Sequence, residues 1–224
     1  MEQLAFIETK PAVPATAAVI WLHGLGDSGD GFAPIVPQLR LPADHGIRFI
    51  FPHAPKQPVT INGGMVMRAW YDIKTMDLTD RADETGVRQS AELVSTLLNK
   101  VMASGIAPEN IMLAGFSQGG VIALHLLPRL PYKIAGVLAL STYMAVPTKL
   151  LAEATDLNKT TPVFIAHGTH DPVVPLHAGQ AAYAQLKNAG FAVQWRDYRM
   201  DHSVCAHEID DISRFIQQHL LQKQ

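Results

Sequence analysis

The chain has 224 residues, 48% of them hydrophobic and 17% charged, with a formal net charge of −2 and one cysteine. That length suits one domain around a single core, so a single domain over 1–224 is expected, and the composition excludes a disordered or fibrous chain. The weak net charge supplies no electrostatic case for binding nucleic acid, and no apolar run reaches the roughly 18 residues that would predict a membrane-spanning helix.

Short apolar runs alternate with longer amphipathic ones, the pattern of parallel strands joined by helical crossovers. In chain order the spacing predicts an antiparallel edge strand over Leu4–Thr9 and a strand over Val19–Leu22. A short helix is expected over Phe32–Leu39, then a strand over Arg48–Phe51. Arg81–Ala103 carries Val87, Ala91, Val94, Leu97, Leu98 and Val101 at helical spacing. A strand over Ile111–Ala114 runs into a largely apolar helix over Gln118–Leu127. Strands follow over Ala135–Leu140 and Val163–Ala166, and a helix over Leu176–Ala189 stops at Gly190, a natural C-terminal glycine. A strand over Val193–Tyr198 precedes a last helix over Ala206–Leu221. The expected architecture is a doubly wound, mostly parallel α/β sheet with helices on both faces. In such sheets chemistry gathers in loops at the carboxyl ends of the strands.

One segment carries a nucleophile pattern. Gly115-Phe116-Ser117-Gln118-Gly119 is a G-x-S-x-G with an apolar strand entering and a helix leaving. That setting forces a tight turn, lifts the Ser117 hydroxyl clear of the backbone and sets it at a helix N-terminus, where free N–H groups favour developing negative charge. A glycine-rich turn with a capping serine would use the same residues, but it does not require this strand–serine–helix context.

A serine nucleophile needs a base, and the base needs an orienting acid, in the chain order Ser, acid, His for this kind of sheet. Asp171 stands just beyond the Val163–Ala166 strand, after a glycine turn. Asp156 has no strand before it and Asp197 falls inside one, so neither competes. His202 lies in the loop beyond Val193–Tyr198 and ahead of the last helix, and among ten histidines it alone has this order and position. His167, His170, Asp171, His202 and His207 together suggest a metal site, but a glycine turn separates the first two and no H-E-x-x-H occurs. No metal or other cofactor is expected.

Upstream, His23-Gly24-Leu25-Gly26-Asp27 is a strand end emptying into a glycine-rich loop. It lacks the trailing Lys-Ser/Thr of a phosphate-binding loop, and Gly24, Gly26 and Gly29 match a dinucleotide fingerprint only loosely. It reads better as the source of a backbone N–H from Leu25, joining that of Gln118 in an oxyanion hole.

The stretches HGLGD, FPHAP, RAWYD, GFSQGG, HGTHDPVVP and MDHSVC, in this order across nearly the whole chain, resemble the bacterial carboxylesterase and acyl-protein thioesterase (phospholipase/carboxylesterase) family. The resemblance implies Ser117, Asp171 and His202 as a triad, with Leu25 and Gln118 as oxyanion donors. It implies hydrolysis of short or medium acyl esters, lysophospholipids or protein thioesters, with small acyl esters or acylated proteins and lipids as partners. Members often place glycine before the histidine, whereas this chain places Asp201 there, adding a carboxylate beside His202.

Only about twenty residues separate Leu140 from Val163, too few for a helical cap domain, so an open site is expected. The segment from Pro52 to Asp80 carries Met65, Met67, Trp70, Tyr71, Ile73 and Met76 and reads either as a packed loop or as an apolar flap. On the second reading Met65, Trp70 and Ile73, with Tyr143 and Val173 after later strand ends, line an acyl groove. An amidase or peptidase with the same triad, and a binding module on the same fold without turnover, stay open as alternatives. Cys205 has no intrachain disulfide partner and reads as a packing residue. With no visible signal peptide the expected location is cytoplasmic, with transient membrane contact and a monomer or homodimer both admitted.

Overall fold

The computed structural model describes residues 3–75 and 82–221. Met76 of the expected flap and Arg81 of the expected second helix lie outside the described residues. The central sheet has seven strands: β1 (Phe6–Thr9), β2 (Ala17–Leu22), β3 (Ile47–Pro52), β6 (Ile111–Phe116), β7 (Gly136–Leu140), β8 (Val163–Gly168) and β9 (Val193–Tyr198). A separate hairpin pairs β4 (Lys56–Val59) with β5 (Met65–Arg68). The sheet order is β1-β3-β2-β6-β7-β8-β9, with β1 antiparallel to β3 and the remaining pairs parallel. This is the doubly wound, mostly parallel α/β sheet expected from the alternating runs.

The helices are α1 (Gly29–Phe32), α2 (Glu84–Ala103), α3 (Gln118–Leu126), α4 (Leu150–Glu153), α5 (Leu176–Asn188) and α6 (Ala206–Ile216). Strand β2 shows why the sheet is covered on both sides. Ala18, Ile20 and Leu22 join a core cluster that also takes the apolar stripes of α2, α3 and α5. Ala17, Val19 and Trp21 point the other way, into a cluster with Ile209, Ile212, Phe215 and Ile216 of α6. All six residues of β2 are buried, so the strand reads as an unbroken apolar run.

Several boundaries shift for local reasons. The segment over Ala33–Leu39 is a 3-10 helix, with Pro34 near its start and Pro37 inside it, and proline removes the amide that an α-helical ladder would need. Helix α2 begins at Glu84 because Asp83 caps it, accepting the amide of Gly86 at 3.0 Å. The last helix loosens to a π-helix over Gln217–Leu221. The β4–β5 hairpin and α4 went unforeseen. Pro58 lies inside β4 and discourages a strand reading, and α4 is only four residues long.

Candidate active site

The four loops that were expected to carry chemistry leave the sheet at the carboxyl ends of β2, β6, β8 and β9. Adjacent parallel strands bring them together. Ser117 joins β6 to α3 with φ 54° and ψ −118°, a conformation that costs a non-glycine residue on the order of 1–3 kcal/mol. Its surroundings over-determine it. The Ser117 amide donates to Leu140 O at 2.9 Å, and Ser117 O accepts from Val121 N at 3.2 Å and from the Thr142 hydroxyl at 2.7 Å. A Cβ at Gly115 would overlap the backbone of Gly119 and Gly120, so the turn closes only with glycine there.

The acid and the imidazole meet through a second contact of this kind. A Cβ at Gly168 would run into the carbonyl oxygens of Asp201 and Met200. With glycine present the two loops lie against each other, joined by Thr169 N to Tyr198 O at 2.8 Å and His170 N to Met200 O at 3.0 Å. Asp171 Oδ1 accepts the amides of Val173 and Val174, both at 2.8 Å. Its Oδ2 accepts His202 Nδ1 at 2.7 Å. An ionised carboxylate only accepts, so Nδ1–H is the donor, and in the neutral ring that leaves the lone pair on Nε2. Burial by itself pushes the Asp171 carboxyl up, but the bond from His202 and the two amides outweigh it and hold the carboxyl below its usual value.

Two neighbours complete this arrangement. The ring of Phe116 lies 4.7 Å from the His202 imidazole, centroid to centroid, and 5.4 Å from Phe32. Its position inside G-x-S-x-G was visible, but its contact with a residue 86 positions later was not. His167 is wholly buried, donates from Nε2 to Val174 O at 2.8 Å and sits 3.6 Å from Asp171 Oδ2. Burial pushes the pKa of this imidazole down. His167 therefore supports the Asp171 loop as a neutral ring.

The β2 loop lies against the serine. A Cβ at Gly24 would stand 3.3 Å from the Phe116 ring and 3.5 Å from Ser117 Cβ. Leu25 is half-buried and Gln118, at the start of α3, is buried. Among the described residues no group of three or more His, Cys, Asp or Glu side chains gathers to hold a metal.

The expected groove residues separate into two sets. Met65, on the hairpin, is 63% exposed, and Val173, two residues past Asp171, is 40% exposed. Trp70, Ile73 and Tyr143 are 0%, 4% and 5% exposed, so these three belong to packed structure and offer no open groove wall. Trp70 is held by hydrogen bonds at its amide, carbonyl and indole nitrogen. Ile73 bridges to Ala82, and the Tyr143 and Tyr71 hydroxyls lie 2.9 Å apart. Met67, also named in the expected flap, is half-buried with its sulfur 3.8 Å from where a Gly26 Cβ would stand.

Acyl-protein thioesterase 1 of Neurospora crassa is 40% identical over 220 residues, covering 94% of this chain and 90% of the relative. The crystal structure of Arabidopsis thaliana SOBER1 superposes with a TM-score of 0.85 at 33% identity, covering 91% of this chain and 99% of that one. Zea mays acyl-protein thioesterase 2 gives a TM-score of 0.86 at 27% identity, covering 96% and 99%. These similar proteins are fungal and plant, so the likeness is not confined to bacterial members. With residues 3–220 matching the phospholipase/carboxylesterase model, the chain belongs to that family of α/β-hydrolases.

Proposed function

We propose that this serine esterase hydrolyses acyl esters and thioesters, acylated proteins among them, through Ser117, His202 and Asp171. The observation that carries the reading is the joint occurrence of a serine at φ 54° between strand and helix and an Asp171–His202 bond of 2.7 Å on neighbouring loops. His202 Nε2 takes the Ser117 proton as Oγ attacks the carbonyl, and the tetrahedral oxyanion is held by the amides of Leu25 and Gln118. Collapse expels the alcohol or thiol with that proton. Water, deprotonated by the same nitrogen, then releases the acid and restores Ser117.

The names of the similar proteins favour acylated protein substrates, and the family's description favours lipid esters as well. Met65 and Val173 supply exposed apolar surface for an acyl chain, each buried methylene contributing about 0.8 kcal/mol. Among the described residues no helix is long and apolar enough to cross a membrane. The proposed setting is the cytoplasm, where acylated proteins are met at membrane surfaces.

Hydrolysis of a p-nitrophenyl ester series from two to sixteen carbons, with mass-spectrometric detection of fluorophosphonate labelling, tests the reading. Wild-type protein is expected to turn over and to be labelled on Ser117, and Ser117→Ala is expected to do neither while staying folded. Undiminished turnover by the folded variant would sink the proposal.

A further inference from the structure

Trp70 is wholly buried, and both of its N–H groups are committed to the proposed oxyanion hole, each to a different side. Its amide donates to Gln118 Oε1 at 3.0 Å, and Gln118 Nε2 donates in return to Tyr71 O at 2.9 Å. Its indole N–H donates to His23 O at 2.8 Å. Its carbonyl accepts the hydroxyl of Ser90 on α2. Two residues earlier, Arg68 O accepts the amide of Gly26 at 2.8 Å.

These bonds form a pattern around two particular peptides. Leu25, whose amide is one proposed oxyanion donor, is bracketed by His23 O and Gly26 N, and both are tied to the strap Arg68–Tyr71. Gln118, whose amide is the other donor, is tied to the same strap by its side chain. The two donors come from loops 93 positions apart in sequence, after different strands. Between them the strap acts as a spacer.

The loop itself has one further restraint. His23 Nδ1 donates to Gly24 O at 2.7 Å, which leaves Nε2 to accept the Ala54 amide at 3.0 Å. The Trp70 ring lies over this imidazole, with centroids 5.4 Å apart. The bonds made by His23, Trp70 and Gln118 are neutral and buried, a class that holds direction well because an unpaired member is costly.

We infer that Trp70 is a positioning residue that sets the separation and aim of the two oxyanion-hole amides, its indole N–H holding the Leu25 side and its backbone the Gln118 side. The inference rests on the proposed hydrolase reading. It assigns Trp70 no contact with substrate, in keeping with its complete burial. Since an oxyanion hole acts on charge that develops only in the transition state, a loosened donor lowers kcat and leaves ground-state binding unaltered.

Trp70→Phe keeps an aromatic ring but removes the indole N–H together with part of the ring volume at this buried position. Wild type, Trp70→Phe and Ser117→Ala are compared on a p-nitrophenyl ester, with binding of a trifluoromethyl ketone, whose serine adduct carries an oxyanion, as second readout. The expected result for Trp70→Phe is a kcat reduced about 10- to 100-fold, KM within about twofold, and ketone affinity reduced by a similar factor. A kcat loss smaller than tenfold, a loss carried by KM, or unchanged ketone affinity overturns the inference. A purely structural role would lower the active fraction and the melting temperature without that joint change. If Trp70→Phe fails to fold, Gln118→Met, which removes the clamp and keeps the backbone donor, is judged by the same criteria. Turnover that survives Ser117→Ala removes the hydrolase reading and this inference together. An inactive Ser117→Ala beside a fully active Trp70→Phe removes the inference alone.

Discussion

Replacing Glu208 by glutamine should make the protein more stable at pH 8 and leave it nearly unchanged at pH 5. Glu208 lies in the first turn of α6, six residues past His202, and is 0% exposed. Among the described residues neither carboxyl oxygen accepts a hydrogen bond of ordinary geometry, and the Cys205 amide is the one backbone group that acts on the carboxyl. Burial pushes its pKa from 4.5 up to about 8, with the nearby Asp211 carboxylate adding to the rise and the Cys205 amide opposing it. Asp211 is itself held in place by the Tyr198 hydroxyl at 2.7 Å and by Arg214 at 2.8 Å.

The sign follows from proton counts. Between pH 4.5 and about 8 the unfolded chain has lost this proton while the folded chain retains it, so stability falls as pH rises through that window and levels off above it. At about 1.4 kcal/mol per pKa unit the cost at pH 7 is about 3 kcal/mol, and water entry on relaxation reduces it to about 2 kcal/mol. Glutamine keeps the shape and cannot ionise. Thermal and urea unfolding at half-unit steps from pH 5 to 9 reads the difference, with about 2–4 °C of melting temperature per kcal/mol in a domain of this size. Wild-type and Glu208→Gln curves that run parallel from pH 5 to 8 would refute a raised pKa for this buried carboxyl.

Asp171→Asn should lower kcat about 10⁴-fold with little change in melting temperature. The new side-chain oxygen still accepts the Val173 and Val174 amides, but its NH₂ no longer accepts His202 Nδ1–H, which leaves the imidazole in the wrong tautomer. Steady-state kinetics beside circular dichroism check this, and wild-type turnover would contradict it. Glu153 accepts Arg88 at 2.7 Å and Arg129 at 2.6 Å, tying α4 to α2 and to the residues after α3. Those two bonds hold its carboxyl at about 2. Glu153→Gln should therefore cost about 1 kcal/mol at pH 7, allowing for partial solvent screening. The wild type's advantage should fade as pH falls from 4.5 towards 2, which acid-unfolding curves of the two proteins measure.

Much of the fold, and the loops that carry the candidate site, were legible because their signals are local. Strand β9 was expected over the residues it occupies, Val193–Tyr198, since turn residues bound it on both sides. The turn at Ser117 could be read because Gly115 and Gly119 stand within two residues of the serine that needs them. The edge strand near the N-terminus was expected antiparallel and pairs so with β3.

The misreadings share a cause. Trp70 and Ile73 are apolar residues in a long irregular segment, and apolar character alone does not distinguish a groove wall from a packed core. Trp70 entered the core because its hydrogen-bond partners, His23 and Gln118, lie 47 and 48 positions away.

The chain alone determined the layered α/β pattern, the strained serine turn, and the placing of Asp171 and His202 in loops just past later strands, since each depends on periodicity or on neighbours within a few residues. Tertiary structure alone decided that Phe116 backs His202, that Trp70 joins the two halves of the proposed oxyanion hole, and that the Glu208 carboxyl is fully buried. Backbone preferences act over one turn of chain, whereas burial and hydrogen bonding between loops arise only once the sheet has aligned strands that are distant in sequence.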